Sequence, residues 1–135
     1  MSKRIFDLED RLVNFAIMVL TLAEALPKRQ GIKGLIQQLV RCGTSPALNY
    51  GEAQSAESPK DFLHKLRISL KELREAQICL KIIRNKPYME TRHVEPVLQE
   101  CSELVAIFTA SIETKKRNIR LDKAKGLPAG RQVKR

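Results

Sequence analysis

Glu72 and Glu75 are the side chains whose spacing comes nearest to a catalytic pattern in this chain of 135 residues. Carboxylates on one helical face hold metal ions in some four-helix bundles, where a Glu-x-x-His motif on each of two helices completes the site. This chain does not carry that motif on paired helices, so both glutamates are expected to be salt-bridged or solvated. We therefore predict neither a metal site nor a bound cofactor.

The remaining reactive residue types do not form a catalytic arrangement. His64 and His93 are the only histidines, and neither lies in a setting that completes a metal or nucleophile site. The chain has no Gly-x-Ser-x-Gly elbow, and Gly31 and Gly34 are too close together for a phosphate-binding loop. The sequence therefore predicts that the protein is not an enzyme, with no catalytic residue and no small-molecule substrate.

The three cysteines, Cys42, Cys79 and Cys101, are odd in number and far apart in the sequence. A disulfide framework requires an even number and a zinc site requires closer pairs. Packed, reduced thiols of a cytoplasmic protein are therefore expected. The longest apolar run, residues 15–20, is much shorter than the roughly 18 residues of a membrane span, so no membrane partner is expected.

The formal net charge of +10 arises from 25 basic and 15 acidic residues and is unevenly distributed along the chain. Residues 115–135 contribute +8 and residues 28–86 contribute +7, whereas residues 87–114 contribute −4. This balance favours polyanions as partners but carries no information about nucleotide sequence. The charge alone is also compatible with a small basic protein that binds no nucleic acid.

Part of the positive charge forms a stripe on the third predicted helix. The basic stripe consists of Lys60, Arg67, Lys71, Arg74 and Lys81. At about 100° per residue its members fall within an arc of roughly 80°, beside the apolar face. Three roles are open for it: ion pairs with an acidic surface of the same or a neighbouring subunit, contacts with nucleic-acid phosphates, and idle surface. The acidic segment 87–114 is a candidate for the first role.

A second group of bases predicted to bind nucleic acid lies near the C-terminus. It consists of Lys115, Lys116, Arg117 and Arg120. Aromatic residues make up only 4% of the chain and tryptophan is absent, so a platform for base stacking is not expected. RNA or DNA would instead be held by its backbone and shape.

Apolar residues repeat at helical spacing in four segments, and no useful length alternates with the period of a strand. The predicted helices cover residues 7–26, 35–56, 59–86 and 93–120. Asp7 and Ser58 are predicted N-caps, and Pro46 is expected to kink the second helix. The predicted fold is an all-α, antiparallel up-down-up-down four-helix bundle over residues 1–120, followed by a disordered basic C-terminal tail over residues 121–135.

The first predicted helix is apolar nearly all round, which a free-standing bundle does not need. Val13, Ile17 and Leu20 lie off the core seam of this helix. We therefore predict that these three residues form the interface between subunits of a homo-oligomer.

Four segments of the chain resemble the 23S rRNA intervening-sequence protein family. They are residues 34–45 (GLIQQLVRCGTS), 49–53 (NYGEA), 58–66 (SPKDFLHKL) and 70–76 (LKELREA). The resemblance implies a four-helix-bundle subunit that assembles into a ring-like homopentamer. In relatives that accompany diversity-generating retroelements, it implies a basic ring that contacts a reverse transcriptase and nucleic acid.

The resemblance also implies a structural polar network between the second and third helices, built from Arg41, Asn49, Glu52 and Glu75. Such a network fixes helix register at some cost in stability. The leading hypothesis is a non-enzymatic, homo-oligomeric scaffold that binds nucleic acid through its basic surface and tail. RNA is the nucleic acid that we expect it to bind. The alternative is an assembly module that binds proteins and no nucleic acid.

Overall fold

The computed structural model describes residues 7–126, which form helices joined by short connections. The four α-helices are α1 (Leu8–Ala25), α2 (Lys33–Gln54), α3 (Pro59–Asn85) and α4 (Thr91–Ala124). A short 3₁₀ turn, Gln30–Ile32, precedes α2, and no strand occurs within residues 7–126. The prediction of an all-helical bundle is therefore confirmed. None of the helices in this range combines the length and apolar character that crossing a bilayer requires.

Local capping signals set the starts of two helices. Asp7 caps α1 by accepting a hydrogen bond from the backbone N–H of Glu9 at 3.2 Å. Ser58 caps α3 by accepting one from the N–H of Asp61 at 3.0 Å, and Pro59 follows as the first helical residue. Because these caps satisfy donors that a helix leaves unpaired, both starts fall where the sequence predicts them.

The helices pack in the order α1, α2, α3, α4, and α4 closes the ring against α1. Late in α2, Glu52 pairs with Lys65 near the start of α3, whereas earlier in α2 Arg41 pairs with Glu75 further along α3. These two helices therefore run in opposite directions. The up-down-up-down order of the whole ring, and a kink at Pro46 inside α2, stay predictions.

α4 is longer at both ends than its apolar pattern indicates. It begins at Thr91, so Pro96 lies in its second turn rather than in its opening turn. It continues to Ala124, four residues into the predicted tail, and ends before Gly126, whose φ of 77° suits glycine. The tail boundary predicted at residue 121 is therefore too early. Residues 127–135 of that tail lie outside the described part of the chain.

The interior is filled by apolar side chains from all four helices, and α1 approaches α2 closely at Gly43. A methyl group at Gly43 would lie 2.6 Å from Cγ1 of Val19, which is itself fully buried. A side chain there would have to displace a stiff, packed neighbour. Gly51, two turns further along α2, has open space around it.

Alanine at these two glycines is expected to change stability in opposite directions. Gly51→Ala raises the free energy of unfolding by about 0.5–1 kcal/mol, because alanine loses less backbone entropy in a helix. Gly43→Ala lowers the free energy of unfolding by about 1 kcal/mol. Overpacking costs about 1–3 kcal/mol, which outweighs the gain in backbone entropy that alanine brings at this position as well. Urea unfolding of both variants beside the wild-type protein measures the difference. Equal stability of the two variants would contradict the close approach of α1 and α2.

Candidate nucleic-acid interface

α3 carries the whole basic stripe on its outer face, with every member exposed: Lys60, Arg67, Lys71, Arg74 and Lys81. Arg67, Lys71 and Arg74 border an open groove of about 420 Å³, whose apolar lining comes from Leu70 and Ile78. Within residues 7–126, no acidic group lies at ion-pair distance from any base of the stripe. The structure therefore leaves these charges open to a partner outside the described subunit.

The acids of segment 87–114 do not meet the stripe, because all five have other partners. Glu100 and Glu103 pair with Arg11, Glu95 with Arg84, Glu113 with Lys116, and Glu90 with Arg92 and His93. The hypothesis that this segment neutralises the stripe within one subunit is therefore wrong. The acids are used to hold α4 in place and to pair with bases near its ends.

Arg11 makes the firmest of these contacts and ties α1 to α4. Its Nε donates to one carboxylate oxygen of Glu100 at 2.7 Å and its Nη2 to the other at 3.0 Å, while Glu103 accepts from the same guanidinium. The hydrogen bond to Glu100 is the main cause that raises the pKa of Arg11. The pKa of Glu103 is lowered, first by the hydrogen bond from Gln99 and then by Arg11.

The second predicted group of bases lies on the C-terminal part of α4. Lys115 sits over the ring of Phe62, with Nζ 5.1 Å from the ring centroid. Lys116 lies 3.5 Å from Glu113 on the same helix. These two lysines therefore contribute charge while packed or paired within the subunit.

The last turns of α4 and its C-cap residue carry four further cations, which we call the cationic end: Arg117, Arg120, Lys123 and Lys125. All four are exposed and have no ion-pair partner in the described chain. The sequence analysis placed the two lysines in the tail. At 1.5 Å per residue α4 is about 51 Å long and α3 about 40 Å. Because Lys115 meets the first turn of α3 and Ile119 still packs against the core, the part of α4 that extends past the bundle is the stretch after Ile119.

Arg41 joins α2 to α3 through the two glutamates first considered as metal ligands. Its Nη1 donates to Glu72 and its Nη2 to Glu75, each at 2.8 Å. These contacts raise the pKa of Arg41, the hydrogen bond to Glu75 most and the charge of Glu72 next. Glu72 is only 8% exposed, so its carboxylate depends on this guanidinium. Glu72 was not included in the predicted network. It lies three residues before Glu75 on the same helical face, and this spacing was the signal in the sequence that could have included it.

The other two members of the predicted network lie elsewhere. Asn49 donates to the carbonyl and hydroxyl of Ser45, one turn earlier in α2, rather than across to α3. Glu52 pairs with Lys65 of α3, and this contact raises the pKa of Lys65. Asn49 therefore bonds to a partner four residues away on its own helix instead of to a residue of α3. The α2–α3 contacts in fact form two separate groups: Arg41 with Glu72 and Glu75, and Glu52 with Lys65.

The predicted interface residues Val13, Ile17 and Leu20 lie on the outer face of α1, where they are 46%, 54% and 39% exposed. The structure thus places them together and away from the core. Among the exposed apolar residues that sequence reasoning missed, Ile78 and Ile82 lie on α3 beside the basic stripe. Their spacing from the bases of the stripe places them on the same face of the helix, and the sequence could have shown this.

The histidine closest to an acid lies at the start of α4. Glu90 and His93 have the Glu-x-x-His spacing, which sequence analysis overlooked, and His93 Nε2 is 3.6 Å from Glu90 Oε1. Arg92 donates to the same oxygen at 2.7 Å. In the chain from 7 to 126, no three His, Cys, Asp or Glu side chains are grouped so that they could hold a metal ion.

The three cysteines are buried and form no disulfide bond. Burial raises the pKa of Cys101 to about 12, and the neighbouring Cys79 thiol together with burial raises the pKa of Cys42. A thiol is reactive as its thiolate, and only when reagents reach it. The structure therefore gives these two thiols a packing role.

The cysteines of the native protein are expected to react with Ellman's reagent far more slowly than those of the protein in urea. The reason is that burial shields the sulfur atoms and the raised pKa values of Cys42 and Cys101 leave little thiolate. The absorbance of the released thiol, followed over time in both states, measures the ratio. Complete reaction of the native protein within the mixing time would contradict this packing.

Comparisons with known proteins give a family for the chain and a similar solved structure. A profile of the family described as 23S rRNA-intervening sequence protein matches residues 7–110. A crystal structure from Bacteroides thetaiotaomicron, of a protein with unknown function from the S23 ribosomal protein family, is similar with a TM-score of 0.73. It is 28% identical over 78% of this chain and 98% of its own. No curated protein matches the sequence. The chain therefore belongs to the 23S rRNA-intervening sequence protein family.

Proposed function

We propose that this protein is a non-enzymatic scaffold of the cytoplasm, assembled from several copies of the chain, that binds RNA through its cationic end. The observation that carries the proposal is a set of four cations without acidic partners in the described chain, on a helix that extends past its own bundle. Cations are favourable at a helix C-terminus. That effect falls off within the last turn, so it does not account for Arg117 and Arg120.

Binding would be directed at the phosphate backbone. The aromatic side chains near the cationic end are engaged in packing, since Tyr50 and Phe108 meet edge to face with centroids 5.9 Å apart and Phe62 lies under Lys115. Phosphate contacts position a nucleic acid without reading its sequence. DNA is therefore a partner of the same kind as RNA, and affinity falls steeply as salt rises.

Assembly of several copies would multiply this binding. Each copy brings one cationic end, and linked ends act at a high effective concentration on one strand. The exposed apolar face of α1 supports self-association, because a patch of large apolar residues is usually covered in a functional state. The number five for the copies, and a reverse transcriptase as a further partner, rest on family analogy.

Retention of labelled single-stranded RNA by nuclease-treated protein on a filter, at several salt concentrations, tests the proposal. We expect micromolar or tighter binding at about 50 mM salt and a linear fall of log affinity with log salt. Absence of binding at the lowest salt would remove the nucleic-acid function.

The alternative function is a pure assembly module, which the exposed face of α1 favours. Light scattering that shows a multi-copy particle, combined with blank RNA retention, would support this alternative. The same pair of measurements therefore separates the two functions.

A further inference from the structure

The outer faces of α1 and α3 carry opposite charges around apolar residues. On α1, Val13, Ile17 and Leu20 lie between the exposed acids Asp10 and Glu24. Neither of these carboxylates has an ion-pair partner within residues 7–126. We call this set the acidic face.

The complementary set on α3 is the basic stripe with its exposed isoleucines. Ile78 and Ile82 are 55% and 45% exposed, and the bases around them lack partners in the described chain. Exposed apolar side chains rimmed by polar residues mark interaction sites, and protein interfaces have an apolar core inside a polar rim. Phosphate binding explains the bases but not the isoleucines.

The two faces match in width and length. At about 100° per residue, the acidic face and the part of the stripe from Arg67 to Lys81 each span an arc of roughly 80°. Asp10 and Glu24 are 14 residues apart, and so are Arg67 and Lys81. At 1.5 Å per residue, both pairs are separated by about 21 Å along their helices. Both acids can therefore meet bases while the apolar residues of α1 contact Ile78, which lies between the two bases, and Ile82, which follows Lys81.

One subunit cannot bring its own two faces together. α1 packs against α2 and α4, and α3 packs against α2 and α4, so α1 and α3 occupy opposite corners of the helical ring. Their outer faces point away from each other. A contact between unlike faces of two copies is heterologous, and its repetition gives a closed ring or a filament.

We infer that the acidic face of α1 in one copy docks on the basic stripe and isoleucines of α3 in the next copy. The inference rests on the proposed multi-copy scaffold and names the surface that joins its subunits. It assigns the stripe to a second copy of this chain and leaves nucleic-acid binding to the cationic end of α4.

Charge reversal tests this contact through the mass of nuclease-treated protein, measured by light scattering. Asp10→Lys with Glu24→Lys, and separately Arg67→Glu with Lys81→Glu, are each expected to reduce the particle to the monomer mass of 15.4 kDa. All four changes in one chain are expected to restore the particle, because the attraction returns with its signs exchanged. Equal amounts of the two double variants, when mixed, are also expected to reassociate.

The matched control reverses two exposed bases outside both faces. Arg29→Glu with Lys33→Glu makes the same change in charge as the Arg67 and Lys81 variant and should leave the mass unaltered. All these positions are exposed, and circular dichroism checks that each variant remains helical.

The outcomes separate this inference from the proposed function. If both double variants keep the wild-type mass, the docking inference is overturned and the scaffold stands. If the Arg67 and Lys81 variant keeps its mass but loses RNA binding, the stripe is a nucleic-acid surface and the inference is likewise overturned. A monomeric wild-type protein would overturn the scaffold together with the inference.

Discussion

Replacement of the cationic end by glutamine is expected to weaken single-stranded RNA binding by about 10²- to 10³-fold near 0.1 M salt. The variant changes Arg117, Arg120, Lys123 and Lys125 together. Each phosphate contact on a single strand adds about 0.7 to the slope of log affinity against log salt, so four contacts supply a slope of nearly 3. Because these side chains are exposed and have no acidic partner in the described chain, their removal should leave the fold intact.

A control with the same loss of charge is available at the opposite end of the bundle. Lys28, Arg29, Lys33 and Lys86 are exposed and lie near the turns that precede α2 and α4. Glutamine at these four positions should reduce affinity only through the general loss of net charge and should leave most of the salt slope. An equal loss of affinity in both variants would show that charge alone, and not the end of α4, carries the binding.

Phe108→Ala is expected to lower the free energy of unfolding by about 3–5 kcal/mol. Phe108 is fully buried, and its ring meets that of Tyr50 at 75° with centroids 5.9 Å apart. Truncation removes this edge-to-face contact and leaves a cavity that the surrounding helices fill only in part. With a total stability of about 5–15 kcal/mol, such a loss is a large fraction.

Urea unfolding measures this effect, and Leu48→Ala serves as the control because Leu48 is 69% exposed on α2. The control should change stability by less than about 0.5 kcal/mol in the monomer. A loss below about 1.5 kcal/mol for Phe108→Ala would indicate that α4 is not anchored as described, since Phe/Trp→Ala changes in cores cost about 3–5 kcal/mol.

The starts of α1 and α3 could be predicted from the sequence because their caps act over two or three residues. Asp7 and Ser58 each accept a backbone N–H of the first turn, and that local chemistry is visible in the order of residues. The end of α4 could not be predicted in the same way. Apolar periodicity reports which residues are buried, and the residues beyond Ile119 are helical although they lie outside the core.

The candidate sites also contain features that the sequence could predict and features that it could not. The sequence could place the basic stripe on one face of α3, because that requires only the helical period. It could not show that the acids of α4 were already paired, since Arg11 reaches Glu100 across 89 residues of sequence. It also assigned Asn49 to a network between helices, whereas the hydroxyl of Ser45 offers a partner within α2. Long-range pairing is decided by the packing of the helices, and a single sequence does not show which helices pack side by side.

Sedimentation velocity of the nuclease-treated protein with fluorescent single-stranded RNA tests the central claim most directly, since one run reports both particle mass and bound RNA. At about 50 mM salt, the account predicts that the RNA sediments with a particle of several copies and leaves it as salt is raised. RNA that sediments alone at this low salt, beside protein of any mass, would contradict the account.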